Sequence, residues 1–306
     1  MPKSFTTILL IGEGNFIKQL GVRLLREDRS VWALISSDGL APGFARLGIN
    51  PVAADLSEPF LAKMAVANAD VIYHLAQRRQ HGQPMPEPTD LKGLRNILSA
   101  LPRGAVQRYI YESSLAVYEG ATAAPGSEAS VEEGISEKVF CRPKSVTGRI
   151  HAEAEREILA RFSEDGFPGM ILRAGALYQS LPGIFDQVRK GTYPLPPDLP
   201  PLFHRIYFED YLDILIAAME RGRPGQFYNV VDHEPHTPAA YFQEMATLLG
   251  AASPALPPSV PAPPIRYQNQ KLLKEFNLSL RFPTYREALL DGIKKSEAGE
   301  MRAREA

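Results

Sequence analysis

The sequence predicts an α/β fold: a Rossmann-like, doubly wound parallel sheet with a smaller C-terminal substrate-binding region. Three observations predict it. Short β-rich apolar runs alternate with stretches of helical spacing through the first half of the chain. The first run ends in Gly12-Glu13-Gly14 and opens directly into a helix. After Tyr178 the alternation stops, and Pro and Gly punctuate the chain.

The elements follow in order. Thr6 to Ile11 reads as a strand, and Asn15 to Arg26 as a helix with Phe16, Leu20 and Leu24 at four-residue intervals. Val31–Ile35, Pro51–Ala54, Val71–Leu75 and a run containing Tyr109–Tyr111 supply four more strands. Helices fit between them at Ser57–Val66 and Glu87–Leu101. Residues 115–143 form a long polar segment rich in Ala, Gly and Glu, a length that is usually functional. Ser145–Phe162 is a helix, because Val146, Ile150, Ala154 and Ile158 make one apolar face. Met170–Leu172 is a sixth strand, and further helices are expected at Phe208–Arg221 and Pro238–Leu249. Proline excludes regular structure over 253–264. The division is therefore 1–178 for a dinucleotide-binding domain and 179–296 mostly for substrate binding, with some segments returning to the sheet. Residues 297–306 read as a frayed charged tail.

Composition narrows the function. Lys plus Arg is 34 against 35 for Asp plus Glu, so no basic field invites nucleic acid. Cys141 is the only cysteine, which excludes an internal disulfide and a cysteine metal cluster. The six histidines lack ligand spacing such as His-x-x-x-His, so no metal site is expected. The longest apolar runs are too short to span a bilayer. The start of the chain lacks a signal-peptide pattern, so a cytoplasmic location is expected.

Gly12-x-Gly14 between a strand and a helix has the chemistry of a pyrophosphate site. The first glycine allows the tight turn, and the second lets the backbone approach the phosphates. The third position of Gly-x-Gly-x-x-Gly is Ile17, which predicts a slightly displaced helix. NAD sites usually carry an acid at the end of the second strand to hold the ribose 2′-hydroxyl. Here that end reads Ser36-Ser37, with Asp38 one or two positions late. Removing the carboxylate lifts repulsion toward a 2′-phosphate, which puts NADP ahead of NAD, with Arg46 a remote partner for the phosphate. Asp55-Leu56, after the third strand, is placed to touch the adenine edge or to cap a helix.

Further stretches carry a resemblance. Asp70–Ala76, Gly93–Leu98, Tyr109–Tyr118, Leu172–Tyr178, His204–Asp210 and Phe227–Val230 occur in order along the chain. Together they resemble the extended short-chain dehydrogenases/reductases, the group that includes NAD-dependent epimerases and dehydratases. Thr147-Gly148-Arg149 and Arg281–Glu287 are similar to an atypical branch of that group, which lacks the Tyr-x-x-x-Lys pair. The resemblance implies a dinucleotide along Gly12, Gly14, Asn15, Phe16 and Ile17, then past Ser36, Ser37, Asp55 and Leu56. It also implies Leu75, Ala76 and His151 as cofactor contacts.

In the ordinary family a serine or threonine bonds the substrate oxygen, a tyrosine moves the proton, and a lysine holds the ribose and lowers the tyrosine pKa. Ser114 stands where the resemblance places the hydroxyl, Thr147 where it places tyrosine, and His151 where it places lysine. An aliphatic hydroxyl is a far weaker acid than a phenol of pKa ~10. His151 lies one helical turn beyond Thr147 and is a candidate replacement acid or base. The catalytic candidates are thus Ser114, Thr147 and His151. The function implied is an NAD(P)-dependent oxidoreductase or epimerase on a small polar molecule, of which a nucleotide sugar is one kind, with an altered proton donor. The alternative is a nucleotide-binding sensor or scaffold without turnover. Family members dimerise through two helices, which would be Glu87–Leu101 and Ser145–Phe162, so a homodimer is expected.

Overall fold

Thr7–Ile11 forms β1, and its last four residues are buried. A run of Ile and Leu without polar alternation suits a strand covered on both faces. Then α1 (Gly14–Leu25) buries Phe16, Ile17, Leu20, Gly21 and Leu24, the stripe of one helix face. In a computed structural model, residues 5–25, 29–75, 91–119, 134–179, 182–193, 200–255 and 265–305 are described. The chain continues through β2 (Ser30–Ile35), α2 (Ala41–Ala45), β3 (Asn50–Ala53), α3 (Pro59–Val66) and β4 (Val71–His74). Next come α4 (Leu91–Ala100), β5 (Arg108–Ser114), α5 (Val146–Asp165) and β6 (Gly169–Ala174). After these lie β7 (Ala176–Tyr178), α6 (Pro182–Arg189), β8 (Arg205–Tyr207), α7 (Phe208–Arg221) and β9 (Phe227–Val230). Finally come α8 (Pro238–Leu249), α9 (Gln270–Phe276) and α10 (Tyr285–Glu305).

The main sheet has the order β3-β2-β1-β4-β5-β6-β9. β1 is parallel to β2 and β4, β2 to β3, and β4 to β5. The order reverses at β1, and in doubly wound sheets ligands bind at the carboxyl edge beside that reversal. The chain divides into two units, Met1–Thr122 with Phe140–Arg173 and Leu215–Tyr228, and Ala123–Val139 with Ala174–Ile214 and Asn229–Ala306. In the first, α3, α4 and α5 pack Val66, Leu94, Ile97, Leu98, Ala154 and Ile158 against Leu9, Ile72, Tyr109 and Tyr111 of the strands. In the second, β7 and β8 form a parallel pair. There α6, α8 and α10 enclose Phe185, Tyr241, Phe242, Met245, Tyr285 and Leu289.

The structure adds β7, β8, β9, α6, α9 and α10 to the expected elements, and differs in detail elsewhere. A 3-10 turn at Asp38–Leu40 and then α2 follow β2, where no helix was expected. Residues 297–305, expected as a charged tail, continue α10. Leu181-Pro182-Gly183 is not plain punctuation, because Pro182 sits at the start of α6, where a missing amide proton costs nothing. Residues 87–90 of the expected helix Glu87–Leu101 and most of 115–143 and 253–264 lie outside the described residues. Among the described residues no helix is long and apolar enough to cross a membrane.

Candidate functional site

The glycine turn sits where β1 and β2 end side by side. Ile11 is paired with Leu34, and the Gly12 amide donates to the Leu34 carbonyl at 3.5 Å. Gly12 has φ 146° and Gly14 φ 88°, backbone states that a Cβ disfavours. Among the described residues a Cβ built on Gly14 meets nothing within 4 Å, so the side chains of Phe16, Ile17 and Lys18 leave that face of the turn open. Phe16 and Ile17 instead point into the core, with 7% and 1% of their surface exposed. Lys18 lies over the Phe44 ring, 5.1 Å from its centroid. Because α1 starts at Gly14, its first unpaired amides face this opening. Open backbone, free amides and the positive end of a helix dipole are what a pyrophosphate requires, and the turn fits one. Asn15 is exposed at the same place, whereas Phe16 and Ile17 can contribute only main-chain atoms.

Ile17 is buried at the third motif position, and one turn later a Cβ on Gly21 would come within 2.4 Å of Ile49 Cδ1.

The ribose end of the site is also revised. The Ser36 amide donates to Oε1 of Glu13, so a carboxylate does stand at the end of β2, supplied from the glycine turn. Ser36, Ser37 and Asp38 are exposed, and Asp38 starts the 3-10 turn without touching β2's last residue through any hydrogen bond. Asp55 accepts the Ser57 amide at 2.8 Å, and its bonds to Ser57 lower its pKa. Its carboxylate is thus used in a local turn. The Leu56 carbonyl accepts from Asn96 Nδ2 at 2.8 Å. Leu75 is buried, and its carbonyl lies 3.3 Å from a Cβ built on Gly12. Ala76 lies outside the described residues.

The catalytic candidates come from β5 and α5. Ser145 caps α5 by accepting the Gly148 amide at 3.0 Å, and Glu119 in turn accepts the Ser145 amide and hydroxyl at 2.7 and 2.8 Å. This fixes the first turn of α5 against the 3-10 turn Leu115–Tyr118 that follows β5. Gly148 makes the approach possible: a Cβ there would lie 2.5 Å from the Ala116 carbonyl oxygen. The turns bearing Ser114 and Thr147 are thereby brought together. Ser114 Oγ accepts the Ala116 amide at 3.2 Å, which leaves its own proton for another acceptor. Thr147 is half-buried in the first turn of α5.

His151 is buried, with 5% exposure, and its Nδ1 pairs with the Tyr111 hydroxyl at 3.1 Å. Burial lowers its pKa to about 4. The imidazole is therefore neutral at pH 7 and holds no spare proton to give. This environment suits a neutral hydrogen-bonding group better than the acid considered from the sequence.

Sequence reasoning missed a buried network beside these residues. Arg173 pairs with Glu155 through Nε–Oε1 at 3.0 Å and Nη2–Oε2 at 2.6 Å. Its Nη1 donates to the Tyr118 hydroxyl at 2.7 Å, and Ser113 Oγ donates to Glu155 at 2.6 Å. Tyr118 is thus held by Arg173. The only available signal was a Glu two turns after Thr147 on the helix face that bears His151. Burial raises the pKa of the Cys141 thiol, which argues against a reactive thiolate.

The second unit holds a different cluster. The Arg205 guanidinium stacks 3.4 Å from the Phe203 ring centroid and 4.9 Å from that of Tyr241. Tyr178 and Asp232 lie against each other there, and among the described residues His236 Nε2 is buried without a hydrogen-bond partner. Burial pushes the Asp232 carboxyl up to about 8 and the His236 imidazole down to about 4. Glu137 accepts the Asn229 amide at 2.8 Å. Among the described residues no group of His, Cys, Asp and Glu could hold a metal ion. A cavity of about 380 Å³ lies near the amino ends of β5 and β6, lined by Arg103, Arg108, Phe167 and Pro224. It is at the opposite edge from the glycine turn.

Residues 8–230 match the model of the NAD dependent epimerase/dehydratase family. No curated protein matches the chain. Among solved structures, a functionally unknown conserved protein from Silicibacter pomeroyi is 22% identical with a TM-score of 0.70, covering 95% of this chain and 99% of its own. The dTDP-glucose 4,6-dehydratase from Bacillus anthracis, in complex with NAD, is 16% identical with a TM-score of 0.73, covering 97% and 98%. The UDP-glucuronic acid 4-epimerase from Bacillus cereus, in complex with UDP-glucuronic acid and NAD, is 18% identical with a TM-score of 0.70, covering 94% and 99%. At these identities the likeness is one of fold.

Proposed function

The chain belongs to the NAD dependent epimerase/dehydratase family, and on that premise we propose that it is a nicotinamide-dinucleotide-dependent oxidoreductase or epimerase. Its proposed substrate is a small polar molecule of the sugar-nucleotide kind, and its proton step does not use a phenol. The observation that carries this reading is the open Gly12–Gly14 turn at the start of α1, beside the reversal of strand order at β1. The dinucleotide, when bound, supplies hydride exchange at its nicotinamide.

The chain's own residues supply the rest. Amides of the turn hold the pyrophosphate. Ser114, with its oxygen already accepting the Ala116 amide, donates its proton to a substrate oxygen. His151 is held at Nδ1 by Tyr111, and as a neutral ring it offers Nε2 for a hydrogen bond to ribose or substrate. The altered proton donor is thus a hydroxyl of the Ser114–Thr147 pair or a solvent molecule beside it, not an imidazolium. In the second unit, residues 179–296 are the proposed substrate-binding region. His236 Nε2, without a hydrogen-bond partner among the described residues, and the neighbouring Tyr178 and Asp232 are the proposed polar contacts there. The outward faces of α4 and α5 meet through Arg95, bonded to Glu153 and Glu157, and these two helices are the proposed contact between two copies.

A second reading, a nucleotide-binding protein without turnover, is favoured by His151 itself. A neutral ring at this position provides no cation to lower the pKa of a neighbouring hydroxyl. One experiment separates the two. Purified protein is titrated with NAD(H) and NADP(H), then assayed for cofactor oxidation across a panel of carbonyl compounds and nucleotide sugars. Turnover that disappears in Ser114→Ala supports the enzyme. Equal turnover in that variant refutes the role of Ser114. Tight binding without turnover on any substrate selects the second reading, and no binding refutes both.

A further inference from the structure

We infer that Glu13, inside the glycine turn, replaces the acid that dinucleotide folds ordinarily carry at the end of the second strand, and so selects NAD over NADP. The inference rests on the dinucleotide reading above and deepens it by assigning the residue that reads the adenosine ribose.

The placement follows from the backbone. β1 and β2 are parallel neighbours in register to Ile11 and Leu34, and the Gly12 amide is tied to the Leu34 carbonyl. The residue after Gly12 therefore leaves β1 directly beside the point where β2 ends. Glu13 spans that gap, and its Oε1 accepts the Ser36 amide, the first one beyond β2. In this topology the ribose next to adenine lies at that point, and a carboxylate there accepts its hydroxyls. Oε2 of Glu13 has no partner among the described residues and is available to both hydroxyls. Ser36 and Ser37 are exposed at the same end and bring no charge of their own.

A 2′-phosphate would bring a second anion against this carboxylate, and a cation would be needed to offset it. Two nearby candidates are committed elsewhere. Lys18 Nζ lies over the Phe44 ring, 5.1 Å away, and Arg46 Nε donates to the Pro42 carbonyl at 3.1 Å. Reading residues 36–38 alone favours NADP, because that stretch has no acid at the right place. The acid comes instead from the neighbouring strand's exit.

The test uses the full chain and calorimetric titration with NAD and NADP, so that no turnover is required. Wild type is expected to bind NAD at least about tenfold more tightly than NADP, the equivalent of ~1.4 kcal/mol. Glu13→Gln keeps an oxygen to accept the Ser36 amide and removes the charge. It is expected to cut that ratio by about tenfold, mainly through tighter NADP binding, with the melting temperature unchanged. An unchanged ratio in Glu13→Gln overturns the inference. So does wild type that binds NADP as tightly as NAD, a result needing no variant to fold, and both leave the dinucleotide reading intact. Failure of either dinucleotide to bind overturns that reading, and the inference falls with it.

Discussion

Replacing Gly148 by alanine places a methyl group 2.5 Å from the Ala116 carbonyl oxygen, 3.0 Å from its carbon and 2.8 Å from Pro143 Cβ. Two effects compete. Alanine is the better helix former by at most ~1 kcal/mol, less in a first turn than mid-helix. The clash is with main chain, which cannot rotate away, and overpacking of that kind costs ~1–3 kcal/mol. The clash wins, with a net loss of about 1–2 kcal/mol and a fall in melting temperature of roughly 2–6 °C. Gly21→Ala is the matched control. It too is a helix glycine with a tight neighbour, 2.4 Å away, but that neighbour is the tip of the Ile49 side chain. A side-chain tip can turn aside, so loss and helix gain there nearly cancel, within about 1 kcal/mol of zero. Thermal unfolding of both variants, followed by circular dichroism, makes the comparison. A Gly148→Ala protein as stable as Gly21→Ala would refute the claim that α5 is seated on the Ala116 backbone.

Two further outcomes follow from buried charge. Glu155→Gln leaves Arg173 at 4% exposure without its anion, and breaking such a pair costs ~3–5 kcal/mol, a fall of roughly 6–15 °C in melting temperature. A variant melting within a degree or two of wild type would contradict the pairing. His151 has a folded pKa of about 4 against 6.5 unfolded, so between those values the unfolded chain binds the extra proton. Stability from this group is therefore whole above pH 6.5 and is lost as pH falls toward 4, by about 3 kcal/mol in all. His151→Gln removes that slope, and urea unfolding from pH 7 to pH 4.5 measures it. Parallel curves for variant and wild type would show that the ring is solvated.

The fold was legible because its strands are buried on both faces. Such strands read as unbroken apolar runs, as in Thr7–Ile11 and Val71–His74, and the helices between them have clear four-residue spacing. Elements without an apolar stripe were not legible. The segment Asp38–Ala45 has two glycines and a proline in eight residues, and the end of α10 is Glu, Ala, Gly and Arg with a single Met. The site divides in the same way. Gly12, Gly14, Ser114, Thr147 and His151 could be named from local pattern. Glu13, Gly21 and Gly148 matter because of what lies across the fold from them: the Ser36 amide, Ile49 and the Ala116 carbonyl. No window of sequence contains both partners of any of these contacts.

The absence of both tyrosine and lysine is better understood as one change than as two. Thr147, His151 and Glu155 follow one another at single turns along the face of α5 that meets β5, where His151 bonds Tyr111 and Glu155 bonds Ser113. An ammonium at position 151 would be buried in a site whose nearest carboxylate along that face, Glu155, is already bonded twice to Arg173 and once to Ser113. Without an anion to pair with, burial would drive its proton off. A neutral imidazole avoids that cost and satisfies the Tyr111 hydroxyl with one hydrogen bond. Once the cation is gone, a phenol at position 147 would keep a pKa near ~10 and would be a poor base at neutral pH. Arg173, by drawing Glu155 into a closed pair, thereby sets the electrostatics in which a short neutral hydroxyl at Thr147 and a neutral ring at His151 are compatible. Thr147 and His151 thus place no fixed positive charge on this face of the helix.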